Sequence, residues 1–166
     1  MLEFKRLHRD ALPAALERAE HYRLLNQPAA AESICRDILG VDPENQQALT
    51  TLILAHTDQF DRHLRKPVGE ARKLVTRLTD EYHRCYYSGI ILEREAKAIL
   101  RRAAPGTGSS VYETLCAAMA WYEKAEALRP EGNDEALLRW NNCARIINEH
   151  EHVEPGEEDD FVPLLE

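Results

Sequence analysis

The chain has 166 residues, 21 basic and 29 acidic side chains, and a formal net charge of −8. All of this surplus lies in residues 149–166, which hold eight acidic residues and no Lys or Arg, so residues 1–148 are neutral. This distribution excludes a uniformly acidic protein, and the neutral body gives no general argument for nucleic-acid binding.

Apolar residues recur every three or four positions between the prolines and glycines, which is the period of an α-helix. Seven such stripes run through residues 12–25, 31–41, 48–55, 68–78, 85–99, 115–128 and 137–147. Pro28 and Pro67 open the second and fourth stripes, where a missing N–H costs nothing. The strict alternation typical of strands does not occur, so the sequence predicts an all-α fold of about seven helices without a sheet.

Two loops, VDPEN (41–45) and LRPEGN (128–133), predict where one helix ends and the next begins. In each loop the proline blocks continuation of the helix, and Asn45 or Asn133 is a good cap for the helix that follows. Ser109 or Ser110 is expected to cap a helix beginning near Val111. Because the connections are short, consecutive helices are expected to be antiparallel neighbours.

One spacing of small, apolar and proline residues recurs along the chain. It comprises Ala31, Cys35, Ile38 and Pro43, and then Ala118, Tyr122, Ala125 and Pro130, with Ala71, Val75 and Leu78 repeating its first two steps. The alanine lets the second helix of a hairpin approach the first closely, and the next two residues fill the groove between them. The proline then ends the hairpin.

On these residues the sequence resembles the tetratricopeptide repeat family, most clearly over residues 15–45. Ala19 and Tyr22 match the small residue and the aromatic of the family's first helix, and Ala31 and Pro43 match its second helix and terminal proline. Residues 117–147 resemble the second helix of another repeat and a closing helix, although Trp140 stands where the family has a small residue. The resemblance implies an irregular right-handed solenoid of about three hairpins and a terminal helix, with longer insertions in the middle. We therefore expect a helical domain over 1–148 and an acidic tail over 149–166.

The same resemblance implies a non-enzymatic protein–protein interaction module, an adaptor, scaffold or secretion-type chaperone that binds a peptide or protein on its concave surface. No cofactor is expected. The groove residues implied by matching positions are Glu20, Arg23, Leu54, Asp58, Tyr86, Ile90, Asn141 and Arg145. Tyr86 fits the core equally well.

An enzyme or a metal protein is an alternative class, and its candidate site is the set His56, His63 and His83 near the second hairpin. The sequence contains no GxSxG, HExxH or comparable motif, so no catalytic residue and no metal ligand set is predicted. Isolated histidines on the surface or partly in the core remain the better interpretation.

A basic stretch over residues 62–102 gives a second alternative, since it holds 11 Lys and Arg against five Asp and Glu. An ordinary solvated helix face explains such a run, whereas the functional interpretation is an acidic partner, with nucleic acid the less favoured kind. The residues of this patch are Arg65, Lys66, Arg72, Lys73, Arg77, Arg101 and Arg102.

The acidic tail has an apolar tip, formed by Phe161, Val162, Leu164 and Leu165. Dense acids with Pro155 and Gly156 cannot order the segment alone, so it is either disordered or docks on its own body, a second copy or a partner. Charge complementarity favours docking onto the helices that carry Arg72 to Arg102. Deletion of 153–166 is then expected to change stability or oligomeric state at low salt.

Four scattered cysteines and the absence of a CxxC pair predict buried thiols in a reducing compartment. The first ten residues, MLEFKRLHRD, lack the apolar stretch of a signal peptide, and no apolar run approaches a membrane span. The expected location is therefore cytoplasmic, with no membrane partner.

Overall fold

The computed structural model describes residues 2–62 and 65–156, and within these ranges the regular structure is helical and contains no strand. Its seven α-helices are α1 (Leu12–Leu24), α2 (Pro28–Val41), α3 (Gln46–Thr57), α4 (Arg65–Val75), α5 (Glu81–Arg102), α6 (Gly108–Ala127) and α7 (Glu135–Glu149). A short 3-10 turn, Arg9–Ala11, precedes α1. The predicted all-α fold of about seven helices is confirmed.

Helices that follow one another in the chain pack against one another, most extensively α5 and α6. The pairs α1–α2, α3–α4 and α5–α6 thus pack as hairpins, and α7 packs on α6. The first helices of successive hairpins also meet, because α1 contacts α3 and α3 contacts α5. This places α1, α3 and α5 side by side.

The helix ends follow the loop chemistry in part. Asn45 caps α3 as predicted, since its side-chain oxygen accepts a hydrogen bond from the Ala48 N–H at 2.9 Å. Asn133 accepts from the Glu135 N–H at 3.0 Å, although Asp134 is the residue that precedes α7. The prediction for α6 was wrong, because the helix begins at Gly108 and both candidate serines lie inside its first turn.

The recurring spacing marks residues of the core. Ala31, Cys35 and Ile38 are fully buried, and so are Ala118, Tyr122 and Ala125; Ala71 is likewise fully buried. Because these residues come from the second helix of each hairpin, their burial agrees with the close approach that the small residues were predicted to allow. The four cysteines are free thiols, and Cys35, Cys85 and Cys143 are buried.

The chain after α7 covers the connection between α5 and α6. Val153 is only 3% exposed and belongs to the core that α5, α6 and α7 share. The His152 carbonyl lies so near Gly108 that a Cβ on this glycine would stand 1.8 Å from its oxygen. Deletion of 153–166 would therefore remove a core residue together with the acids, so a deletion of 157–166, which keeps Val153, is the better test of docking by the tail.

Candidate binding groove

An aspartate joins the three neighbouring first helices. The Arg23 Nε of α1 donates to Asp58 Oδ2 at 2.7 Å, just beyond the end of α3. Arg94 of α5 donates to the other oxygen of Asp58 and, at 2.7 Å, to the Thr57 hydroxyl. Each of the two ion-paired side chains Arg23 and Asp58 is 19% exposed. Two guanidinium groups are thus held in fixed positions by one carboxylate.

A buried glutamate occupies the equivalent place between α5, α6 and α7. Glu93 is fully buried, and its carboxylate accepts hydrogen bonds from the Tyr122 hydroxyl at 2.6 Å and from the Asn142 Nδ2 at 3.0 Å. It also pairs with Lys97 on its own helix and with Arg139 of α7, whose Nη1 lies 3.3 Å away. A buried carboxylate with four donors is satisfied, whereas an isolated one would be very unfavourable.

The protonation of Glu93 follows from these partners. Burial alone raises the pKa of its carboxyl group, but hydrogen bonds from Lys97 and Tyr122 and the charges of Arg139 and Lys97 lower the pKa further than burial raises it. The pKa therefore lies below its usual value of 4.5. Burial, and next the Glu93 charge, raises the pKa of the Tyr122 hydroxyl, which therefore stays protonated and remains a donor.

A cavity of 370 Å³ is lined by Asp58 and by Lys97 and Arg139, the two cationic partners of Glu93. Its wall carries five cationic side chains, Arg23, Arg94, Lys97, Arg101 and Arg139, together with the acids Asp58 and Asp61. Arg101 is held by Asp61, to which its Nε donates at 2.8 Å. We call this cavity, defined by the five cations and two acids, the basic groove. Guanidinium and ammonium groups held in this way present N–H donors to an anion, so the groove is chemically an anion-binding surface.

Four of the residues implied by the family resemblance come from α1, from α3 and from the residue after α3. Arg23 and Asp58 lie in the basic groove and bind each other. Glu20 is exposed and accepts a hydrogen bond from the Gln47 Nε2 at 3.0 Å. Leu54 is partly buried and packs against the core that α5 and α6 share.

Tyr86 and Ile90 require a correction. They are 8% and 1% exposed, so they lie in the core and not on a groove. The physical reason is the packing of α5 on α6, where the Tyr86 ring lies 6.1 Å from the ring of Tyr122. Of the two interpretations that Tyr86 allowed, the core is the correct one.

On the last helix the polar residues that reach Glu93 are Arg139 and Asn142, while Asn141 and Arg145 do not line the basic groove. Arg139 and Asn142 are three residues apart, share one side of α7 and both reach Glu93. Arg145 is exposed. Trp140 explains the different register, since its indole N–H donates to Glu123 of α6 at 3.0 Å and directs that side of α7 to α6.

The residues of the predicted basic patch have different partners in the fold. Arg101 lies in the basic groove, while Arg72 pairs with Glu95 at 2.8 Å and Lys73 with Glu70 at 3.1 Å. Arg77 and Arg102 donate to the carbonyl oxygens of Pro43 and Phe60, and Lys66 is exposed. The side chain of Arg65 lies outside the described residues. The apolar tip of the tail, Phe161, Val162, Leu164 and Leu165, also lies outside them.

The histidines of the alternative site have separate surroundings. His56 is 6% exposed, and its Nδ1 lies 3.8 Å from Glu32 Oε2. His83 lies at the start of α5, with its Nδ1 3.2 Å from Asp80 Oδ2, and His63 lies outside the described residues. Within residues 2–62 and 65–156, no group of three or more His, Cys, Asp or Glu side chains is placed to hold a metal ion.

Acid is expected to weaken the fold in two separate steps. Burial lowers the pKa of His56, against the opposing charge of Glu32, so its share of stability is complete above 6.5 and is lost as the pH falls below that value. The pKa of Glu93 is also lowered, so its share is complete above 4.5 and is lost as the pH falls further. Urea unfolding at a series of pH values measures both steps. His56→Gln should remove the first step and Glu93→Gln the second, and a curve unchanged by either substitution would contradict the assignment.

Comparison with known proteins finds no relative of this chain. No family model matches it, and searches of curated proteins and of solved structures find no match. In the part of the chain that the structure describes, the helices are too short or too polar for any of them to cross a membrane.

Proposed function

We propose that this protein is a non-enzymatic interaction module, built on tetratricopeptide-like hairpins, that binds a segment of a partner protein in the basic groove. The observation that carries the proposal is the convergence of five cationic side chains from three helices on one cavity. These helices are far apart in the sequence, so their cations meet only in the folded chain.

The proposal is supported by the energetic cost of bringing like charges together. Like charges repel one another, and ion pairs as exposed as that of Arg101 with Asp61 add little to stability. Lys97 and Arg139 satisfy the buried Glu93 and so serve the fold, but the fold does not require Arg101 in the same concave site, whereas binding of an anionic ligand explains its place there. Each cation is fixed by a carboxylate before a ligand arrives, which lowers the entropy lost on binding.

A second support is the place of the groove in the fold. It lies where the first helices of the hairpins meet, which is the surface that repeat proteins of stacked helices use for recognition. Adaptor, scaffold and chaperone-like roles all require such a surface.

Selection from a random peptide library displayed on phage is the test. We expect enrichment of peptides that bind the full chain and that lose at least about tenfold in affinity when Arg101 is replaced by glutamine, as for loss of one charge-assisted contact. Arg72→Gln is the matched control, because Arg72 is 56% and Arg101 57% exposed and each pairs with one carboxylate of another part of the chain. Only Arg101 lines the groove.

The result that would overturn the proposal is equally definite. Either no peptide is enriched, or the enriched peptides bind the Arg101→Gln and Arg72→Gln variants equally well. In the second case the peptides bind elsewhere on the molecule.

A further inference from the structure

We infer that the basic groove selects an acidic segment followed by apolar residues, and that residues 157–166 of the same chain are the segment it holds until a partner displaces them. This inference rests on the proposed function of the groove and names the class of its ligand. The charge, length and edge of the groove support it, together with the place where the described chain ends.

The charge of the groove defines the sign and size of the ligand's charge. The five cations share three carboxylates: Asp58 with Arg23 and Arg94, Asp61 with Arg101, and the buried Glu93 with Lys97 and Arg139. Five positive and three negative groups leave a net charge of +2. A ligand that neutralises this groove therefore carries at least two negative charges.

The length of the groove favours a run of carboxylates as its ligand over a single compact anion. Arg94, Lys97 and Arg101 follow one another at intervals of three and four residues, so they lie along one face of α5 over about 10 Å. A single phosphate group is too small to reach both ends of this row. An extended peptide advances about 3.3 Å per residue, so four consecutive acidic residues span the same distance.

An apolar side chain at the edge of the groove indicates that the ligand also carries apolar residues. Leu24 lines the cavity and is 84% exposed. Leu25, next to it, is 52% exposed. A ligand that places apolar residues beside its acids would cover these leucines as it neutralises the arginines.

Residues 157–166, which lie outside the described residues, have this composition. Their sequence is EEDDFVPLLE, with four consecutive acids followed by Phe161 and Val162. We refer to them as the acidic segment. Its charge, the length of its acidic run and the order of acidic and apolar residues all correspond to the groove.

The described chain ends close enough to deliver the acidic segment. Gly156 and Leu100 line one cavity at the end of α5, and Arg101, the residue after Leu100, lines the basic groove. The four acids follow Gly156 directly, and in extended form they reach about 13 Å from it, slightly more than the length of the row of cations on α5. The acids can therefore extend along the row from its Arg101 end.

The test measures whether the acidic segment of the full chain competes with an added peptide for the basic groove. A fluorescent peptide of sequence EEDDFVPLLE is the probe, and its binding is followed by anisotropy. The competing variant neutralises the four acids in place, as Glu157→Gln, Glu158→Gln, Asp159→Asn and Asp160→Asn. A covalently attached segment has an effective concentration in the millimolar range, so we expect the neutralised chain to bind the probe about tenfold more tightly than the wild type.

Three controls accompany this comparison. In the neutralised chain, Arg101→Gln should weaken binding of the probe about tenfold and Arg72→Gln should not. The peptide QQNNFVPLLE should bind at least tenfold more weakly than the probe, because it lacks the four charges. Binding of the probe should also weaken steeply with added salt, as expected for an exposed charged site.

Each contrary outcome has one meaning. Equal affinity of the probe for the wild-type and neutralised chains overturns occupation by the acidic segment. Equal binding of the charged and neutral peptides, or no binding of the probe, overturns the selection of acidic ligands. The proposed function stands in all these cases if library peptides depend on Arg101, and it fails separately if they do not.

Discussion

Replacement of Glu93 by alanine is expected to lower the free energy of unfolding by about 3 kcal/mol, as for removal of one partner from a buried charged network. The substitution leaves the buried Tyr122 hydroxyl without its acceptor and Arg139 without its carboxylate. Arg139 and Lys97 are 31% and 28% exposed, so both can turn partly to water, which keeps the loss at the lower end of the usual range. Urea denaturation at pH 7 measures it.

Two further variants separate the contribution of the Tyr122–Glu93 hydrogen bond to stability from that of the Glu93 charge. Tyr122→Phe removes only the hydroxyl group and should cost about 1–2 kcal/mol. Combined with Glu93→Ala it should cost less than the sum of the two single losses, because the bond is already absent. The two losses would add fully if Glu93 and Tyr122 did not interact in the folded protein, and that result would contradict the described network.

The parts of the fold that depend on neighbours in the chain could be predicted from the sequence. The helical period identifies the seven helices, and the position of Asn45 identifies a cap, because both depend on residues a few positions apart. The alanine spacing also identified core residues correctly. A small residue at a fixed place in a helical stripe is informative because only close packing requires it.

The parts that depend on packing between distant helices could not be predicted. Glu93 occurs in a helix with many charged neighbours, where an acid is typical of an exposed face, and its burial follows from partners on α6 and α7. The register of α7 depends on how Trp140 packs against α6, which no spacing within α7 shows. A family pattern carried over by position alone therefore does not identify Arg139 and Asn142 as the residues that reach Glu93.

One signal for the groove was present in the sequence. Arg94, Lys97 and Arg101 lie three and four residues apart, which places them on one face of a helix, and the total charge of residues 62–102 obscures this by including the cations of α4. The contributions of Arg23 and Arg139 could not be inferred, since they reach the same cavity from helices at the two ends of the chain.

Gly89→Ala is expected to destabilise the protein by about 2 kcal/mol, as for overpacking of a close-packed interior. A Cβ at this position would lie 2.5 Å from a ring carbon of Tyr122. The ring cannot move aside easily, because it is fully buried and its hydroxyl binds Glu93. Thermal or urea unfolding of the full chain measures the loss. Gly69→Ala is the matched control, because Gly69 also lies within a helix but no heavy atom lies within 4 Å of the added Cβ.

The sign of the effect at Gly89 should depend on Tyr122. Glycine within a helix is less favourable than alanine by about 0.5–1 kcal/mol, so Gly69→Ala should stabilise the protein by that amount. In a chain that already carries Tyr122→Leu the aromatic ring is absent, and Gly89→Ala should then be neutral or stabilising like the control. If Gly89→Ala destabilises both backgrounds equally, the close approach of α5 to Tyr122 is not what requires a glycine. If it reverses sign, that contact is the reason, and the same ring that requires Gly89 also carries the hydroxyl that donates to the buried carboxylate of Glu93.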